Sequence, residues 1–219
     1  MTLKNRITTI AFDYGGVLAR KIDDSCLAHM AGAAGADTDR FTAALWKHRG
    51  AFDDGEYDAA SYWQKVREDA GGRPPGGESP EELTGILMDL DAVGWTIINP
   101  AMVRWMNTLR GAGYRRFLLS NMAVETFDMI LKDSPLLKYF ERVILSGWLH
   151  INKPDVRIFQ EAARQMEVEP DQILFIDDLP HNVEGARKAG FHALPFTGAA
   201  DLAEVLEKDY PDIPRRGLI

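Results

Sequence analysis

The chain has 219 residues, 46% of them hydrophobic, with a formal net charge of −8. That suffices to bury a substantial core, in one domain or in one carrying a sizeable insertion. The acidic balance, without a long basic run, argues against nucleic-acid or membrane partners, while local cations can still hold a small phosphorylated molecule.

In chain order, the first apolar segment, Ile7–Asp13, reads as a strand. From Ala19 to about Trp95 no strand-like run occurs. This stretch reads as Ala-rich helices anchored by Leu45, Trp46, Tyr62, Trp63 and Val66, interrupted by a loop at Gly71-Gly72-Arg73-Pro74-Pro75-Gly76-Gly77. A helix opens at Pro100, carries Met102, Val103, Met106 and Leu109, and closes at Gly111 and Gly113. Further strands follow at Arg116–Ser120, Arg142–Leu145, Ile173–Asp177 and His192–Phe196, with helices beginning near Val124, at Asp155 and at Pro180. Strands apolar on consecutive positions and alternating with helices predict an α/β fold, a doubly wound parallel sheet. The domain division expected is a core of residues 1–18 and 96–219 with a small helical domain of residues 19–95 inserted after the first strand. Such an insertion overhangs that strand's carboxyl end, where open α/β sheets bind ligands.

The lone Cys26 excludes an internal disulfide framework, fits a reducing compartment and has no charged activator beside it, so it reads as a packing residue. No export signal is visible, since Ile7 to Phe12 is short and cut by Asp13, and nothing approaches the roughly 20 apolar residues of a membrane span. A cytoplasmic protein is expected.

Four strand-end groups carry the chemistry. Asp13, followed by Gly15 and Gly16, can attack phosphorus and form an aspartyl phosphate; its bland alternative is a turn cap. Ser120 and Asn121 offer a hydroxyl, an amide and backbone N–H groups to phosphate oxygens, or else a helix cap. Lys153 can balance Asp13 and the phosphate, or be an ordinary solvated lysine. The adjacent Asp177 and Asp178 repel unless a cation lies between them, which suits Mg²⁺ as the cofactor; Asp178 could instead cap the Pro180 helix.

Together and in this order, these residues resemble the signature motifs of the haloacid dehalogenase superfamily, mostly Mg²⁺-dependent phosphatases, over nearly the whole chain. Gly55-Glu56-Tyr57, Asn152-Lys153-Pro154-Asp155 and Asn182-Val183-Glu184-Gly185-Ala186 look like the branch of sugar-phosphate phosphatases and the N-terminal phosphatase domain of soluble epoxide hydrolase. The resemblance implies that Asp13 is the nucleophile, that Ser120 and Lys153 hold the phosphoryl group, and that Asp178 ligates Mg²⁺ directly. Asp177 acts close by or through water, and Gly15 contributes its backbone carbonyl to the metal.

Gly15 is also the departure, because the family usually has there a second Asp that protonates the leaving oxygen and then activates water. Acid–base help is worth about 10²–10⁴-fold, less than positioning and electrostatics, so slowed hydrolysis of a small phosphorylated metabolite is expected. Gly15→Asp is expected to raise turnover of poor leaving groups. Tyr14 points to the wrong face to substitute, and His181 and His48 are candidate donors. Trp46, Lys47, His48, Arg49 and Phe52 form a mixed aromatic–basic cluster, read as insertion core with solvated cations. Two rival functions stand: a metal-independent dehalogenase using Asp13 on a carbon–halogen bond, and a degenerate member that binds a phosphorylated ligand or a protein without turnover.

Overall fold

The computed structural model describes residues 6–219, so the first five residues of the expected 1–18 core segment lie outside it. All five expected strands form: β1 (Thr9–Phe12), β2 (Arg115–Ser120), β3 (Arg142–Leu145), β4 (Ile173–Asp177) and β5 (His192–Pro195). They make one parallel sheet in the order β3-β2-β1-β4-β5. β1 is shorter than expected: Asp13 lies one residue past the ladder, although its N–H still donates to the Ile176 carbonyl at 2.9 Å.

Strand side chains divide by the period of two. Ile10, Phe12, Leu118, Leu174 and Ile176 bury one face with Trp105, Met106, Leu109 and Leu206. Ala11, Phe117, Leu119 and Phe175 bury the other with Ile158, Phe159, Ala162 and Met166.

After β1 and before the crossover helix that leads to β2, the chain forms four helices, α1 (Asp24–Ala34), α2 (Thr38–Asp53), α3 (Ala59–Ala70) and α4 (Pro80–Gly94). Each starts on a side chain that accepts a first-turn N–H: Asp23, Asp37, Asp58 and Ser79, the last reinforced by Glu82 in a reciprocal box. These helices bury their own apolar cluster, including Phe41, Leu45, Phe52, Tyr62, Trp63, Val66, Leu83 and Leu87. Trp46, expected among the anchors, is instead 45% exposed, since Leu45 beside it takes the core-facing side of α2.

The crossover helices follow: α5 (Pro100–Gly111), α6 (Val124–Ile130), α7 (Ser146–Leu149), α8 (Val156–Met166), α9 (Pro180–Lys188) and α10 (Ala199–Asp209). From β1 the chain builds outward through β2 and β3, then returns to add β4 and β5 on the other side. The switch point is therefore the crevice at the carboxyl ends of β1 and β4. Among the described residues no helix is long and apolar enough to cross a membrane.

Candidate active site

The register sets the site. Phe12 pairs with Leu118 on one side and Ile176 on the other, so the residues just past these pairs share one rim of the sheet. Asp13, Asp177 and Asp178 each bring a carboxylate oxygen there, all within 4.8 Å of one another. Lys153 enters from the loop before α8 and is 3% exposed. Its ammonium spans Asp13 Oδ1 at 2.8 Å and Asp177 Oδ2 at 2.7 Å, and donates to the Leu119 carbonyl at 3.0 Å. All three donors are used, so Lys153 is no solvated lysine. It is the countercharge of two buried acids.

Ser120 donates its hydroxyl to Asp13 Oδ1 at 3.0 Å. It caps no helix, because the residue before α6 is Ala123 and no side chain caps that end. In this structure Ser120 and Lys153 therefore both hold Asp13 Oδ1. Asn121 differs from expectation: its Nδ2 donates to the Lys153 carbonyl at 2.9 Å and its Oδ1 accepts the Lys153 N–H at 2.8 Å. With its Oδ1 and one N–H of its Nδ2 bound in this way, the side chain clamps the Lys153 loop.

The two adjacent acids take different parts. Asp177 Oδ1 accepts the Leu179 N–H at 2.8 Å, Asn182 Nδ2 donates to both of its oxygens at 3.1 Å, and Lys153 holds Oδ2. Asp178 does not cap α9, where Leu179 holds the cap position and no side chain bonds the first turn. Lys21 lies against Asp178 Oδ2 as an ion pair, but outside hydrogen-bonding geometry, so that buried oxygen makes no hydrogen bond.

The chemistry of these groups suits a hard divalent cation. Asp13 and Asp178 supply hard oxygen donors, one of the Asp178 oxygens buried without a hydrogen bond, and the tight turn after β1 uses the Gly16 N–H and Tyr14 carbonyl, leaving the Gly15 carbonyl outside it. The residues present fit such an ion. Asp177, with both oxygens already engaged, fits better as the partner that orients Lys153.

Charge placement follows burial. Asp13 is pushed up to about 7, first by burial, with Lys153 pulling it down and Asp177 pushing it up. Burial alone would depress the Lys153 ammonium, but Asp13 and Asp177 outweigh it and hold it above the ordinary lysine value.

A cavity of about 720 Å³ opens over these groups, bounded by the core rim below and the four-helix insertion above. Trp95, at the end of α4, stands on Gly15: a Cβ built there would come within 2.9 Å of its ring. The side chain that an acid at this position would need is thus displaced by indole. Tyr14 donates its hydroxyl to the Trp95 carbonyl at 2.8 Å and is pushed up to about 12 by burial, which agrees with its exclusion as a proton donor. His181 lines the cavity; His48 does not, and faces Asp69 at 2.9 Å.

The mixed cluster on α2 divides differently from expectation. Phe52 is core and Lys47 is exposed on Asp69, but Arg49 is buried, not solvated. Its guanidinium forms a two-pronged pair with Asp91 of α4 and lies among the rings of Trp46, Phe52, Tyr62 and Trp95. Asp91, Trp95 and the cavity-lining Asp53 were not singled out in the sequence. The one signal was the pair Asp53-Asp54 at the end of α2, where acids oppose the helix dipole. Cys26 is a packing residue as expected, its Sγ donating to the Leu90 carbonyl at 3.3 Å.

A doubly wound parallel sheet with three acids and a lysine gathered at its switch point places the chain among the Rossmann-like α/β proteins. A family model described as haloacid dehalogenase-like hydrolase matches residues 7–190, and the chain belongs to that family. Among curated relatives, a phosphoglycolate phosphatase of Nitrosospira multiformis is 32% identical over 94 residues, covering 42% of this chain and 41% of that protein. An (S)-2-haloacid dehalogenase 4A of Burkholderia cepacia is 32% identical over 95 residues, covering 43% and 41%. The match spans about two fifths of the length of these relatives. Among solved structures, the HAD family enzyme bt-2542 of Bacteroides thetaiotaomicron superposes with a TM-score of 0.74 at 21% identity, over 93% of this chain and all of that one. Its complex with magnesium and inorganic phosphate gives 0.70 at 20% identity, over 86% and 93%. At this identity the likeness shows the fold.

Proposed function

We propose that the protein is a Mg²⁺-dependent phosphatase of a small phosphorylated metabolite, working through an aspartyl phosphate on Asp13. The observation that carries this reading is the division of labour among the three acids. Asp177 is held by the buried ammonium of Lys153, whereas Asp178 lines the cavity with only the exposed Lys21 against an oxygen that makes no hydrogen bond. Asp13 and Asp178, with the Gly15 carbonyl, would hold the ion. When bound, it supplies neutralisation of the carboxylates and of the phosphoryl oxygens.

Ser120 and Lys153 fix Asp13 Oδ1, which orients the carboxylate for in-line attack on phosphorus. Asn121 acts behind them by holding the Lys153 loop. The insertion, residues 19–95, is read as the cap that excludes water and reads the part of the substrate beyond the phosphate. Relatives include both phosphatases and dehalogenases. A carbon–halogen reading gives Asp178 no metal to bind and sets a second cavity acid against an acid substrate.

Phosphate and halide release from panels of phosphorylated metabolites and 2-haloacids, with Mg²⁺ and with chelator, test this. Phosphate release that needs Mg²⁺ is expected. Chelator-insensitive halide release would establish the dehalogenase instead, and ligand binding without turnover the degenerate reading.

A further inference from the structure

We propose that the Asp53 carboxyl, on the helical insertion, serves as the acid and base that Gly15 cannot be. This rests on the phosphatase reading above and deepens it. A hydrolase that cleaves an alkyl phosphate must protonate the departing oxygen and then deprotonate water. The position that would ordinarily carry that group is filled by the Trp95 ring. Asp53 lines the same cavity as Asp13, Ser120, Lys153 and Asp178. Among the described residues its carboxyl makes no salt bridge, and neither a side-chain nor a backbone hydrogen bond figures among the main influences on it.

Its place over the core rim is fixed by four bonds. Ser146, directly after β3, donates its hydroxyl to the Asp53 carbonyl and accepts the Met122 N–H, tying the end of α2 to the loop after β2. Asn152 donates to the Gly50 carbonyl at 2.7 Å and to Asp54 Oδ2 at 3.0 Å, one residue before Lys153. Asp53 is therefore anchored to the same loop that carries Lys153 to Asp13.

The charges around Asp53 suit a proton carrier. Asp54 follows it, Asp91 approaches from α4 and Asp13 from β1, and all three oppose ionisation. Arg49, one turn back on α2, favours it, but its guanidinium is already engaged by Asp91. Lys153 and Lys21, the cavity's other cations, are paired with Asp13, Asp177 and Asp178. Burial is the largest influence, and the carboxyl is pushed up to about 8, so it holds a proton at neutral pH.

The steps balance. Asp13 forms an O–P bond as the ester P–O bond breaks, and the proton on Asp53 passes to the departing alkoxide oxygen. The Asp53 carboxylate then takes a proton from water as the water oxygen bonds phosphorus, the aspartyl P–O bond breaks, and phosphate and the Asp13 carboxylate are regenerated.

The test uses the full chain with Mg²⁺ on p-nitrophenyl phosphate, whose leaving group needs little protonation, and on glycerol phosphate, whose leaving group needs much. Asp53→Asn, close to isosteric, is expected to lower kcat/KM for glycerol phosphate by about 10²–10⁴-fold and that for p-nitrophenyl phosphate by less than about tenfold. Asp53→Glu, which keeps the acid, is expected to restore most of the difference. In the wild type, turnover of glycerol phosphate is expected to fall above about pH 8, while that of p-nitrophenyl phosphate stays flat there, a readout that needs no variant. An equal loss on both substrates in Asp53→Asn, or matching pH profiles in the wild type, overturns the role of Asp53 and leaves the phosphatase standing. A wild type that releases phosphate from neither substrate nor from the metabolite panel overturns both.

Discussion

Adding one methyl at Gly15 tests whether Trp95 displaces the missing acid. The Cβ of Gly15→Ala would lie 2.9 Å from Trp95 Cζ3, 3.5 Å from Cε3 and 3.6 Å from Cη2. Optimal carbon–carbon contact is about 3.5–4.0 Å, so the ring must retreat by roughly half an ångström or more. It is not free to do so. The Tyr14 hydroxyl holds the Trp95 carbonyl, the Trp95 N–H donates to the Ala92 carbonyl at 3.1 Å, its indole N–H reaches Asp91 at 3.4 Å, and Trp46 packs against its edge. Overpacking of this kind costs about 1–3 kcal/mol.

Trp95→Ala removes the obstruction and, at a half-buried position, should itself cost about 2 kcal/mol, below the range for a fully buried Trp. In that background Gly15→Ala should be neutral or slightly stabilising, because Gly15 does not occupy the left-handed region that needs glycine. The double-mutant cycle should therefore show a coupling of about 1–3 kcal/mol in urea unfolding. If Gly15→Ala costs the same with and without the indole, the reasoning fails. The cycle also revises the expectation for Gly15→Asp. Alone it should bring no gain in turnover of alkyl phosphates, and a gain should emerge only together with Trp95→Ala.

Three further outcomes follow from the buried charges around the cavity. Lys153→Met should cost about 3–5 kcal/mol by urea unfolding, since it strands two buried acids, and should lower phosphate release by at least about 10²-fold. In thermal unfolding, Mg²⁺ at 100 times its Kd should stabilise the wild type by about 2.7 kcal/mol and leave Asp178→Asn nearly unmoved; equal shifts in both would remove Asp178 from the metal site. The third concerns Asp53, which binds its proton more tightly folded, at about 8, than unfolded, at about 4. Folded protein thus carries the extra proton between those values, and its stability should fall as pH rises through that window. Asp53→Asn should flatten that fall in urea midpoints at pH 5 and pH 8.

The core was legible because local rules and the global fold agree in it. Asp13, Ser120 and Asp177 each follow or end an apolar run whose pairing is set by a buried sheet, so naming the strand end locates the side chain. Lys153 was legible as a cation but not as one buried to 3% with its donors spent. That state depends on Asn121 folding the loop back, a contact across 32 residues. Asn121 was legible as a polar strand-end group but not as the clamp of that loop, because an amide after a strand serves a phosphate or a neighbouring backbone equally well. Nothing in the sequence says which partner lies closer.

The insertion was legible only as helices. Its caps and its own apolar cluster are local matters, but the placement of Trp95 on Gly15 spans 80 residues, and the pairing of Arg49 with Asp91 spans 42. No periodicity encodes either. Arg49 looked solvated because basic side chains beside a tryptophan usually are, and only the approach of α4 supplies the buried acid that holds it.

These long-range contacts bear on how the departure at Gly15 should be understood. A glycine that had merely lost its acid would leave an open, hydrated gap at the rim. Instead an indole fills the gap, held by Tyr14 and Asp91, and an unpaired carboxyl stands on the same cavity at the end of α2. Acids are disfavoured at a helix C-terminus, and two in succession there, one of them driven toward its neutral form, oppose local stability. Positions that break a local rule without local compensation tend to be functional ones. Gly15, Trp95 and Asp53 are then one arrangement, in which the insertion supplies the proton chemistry that the first strand's loop no longer can.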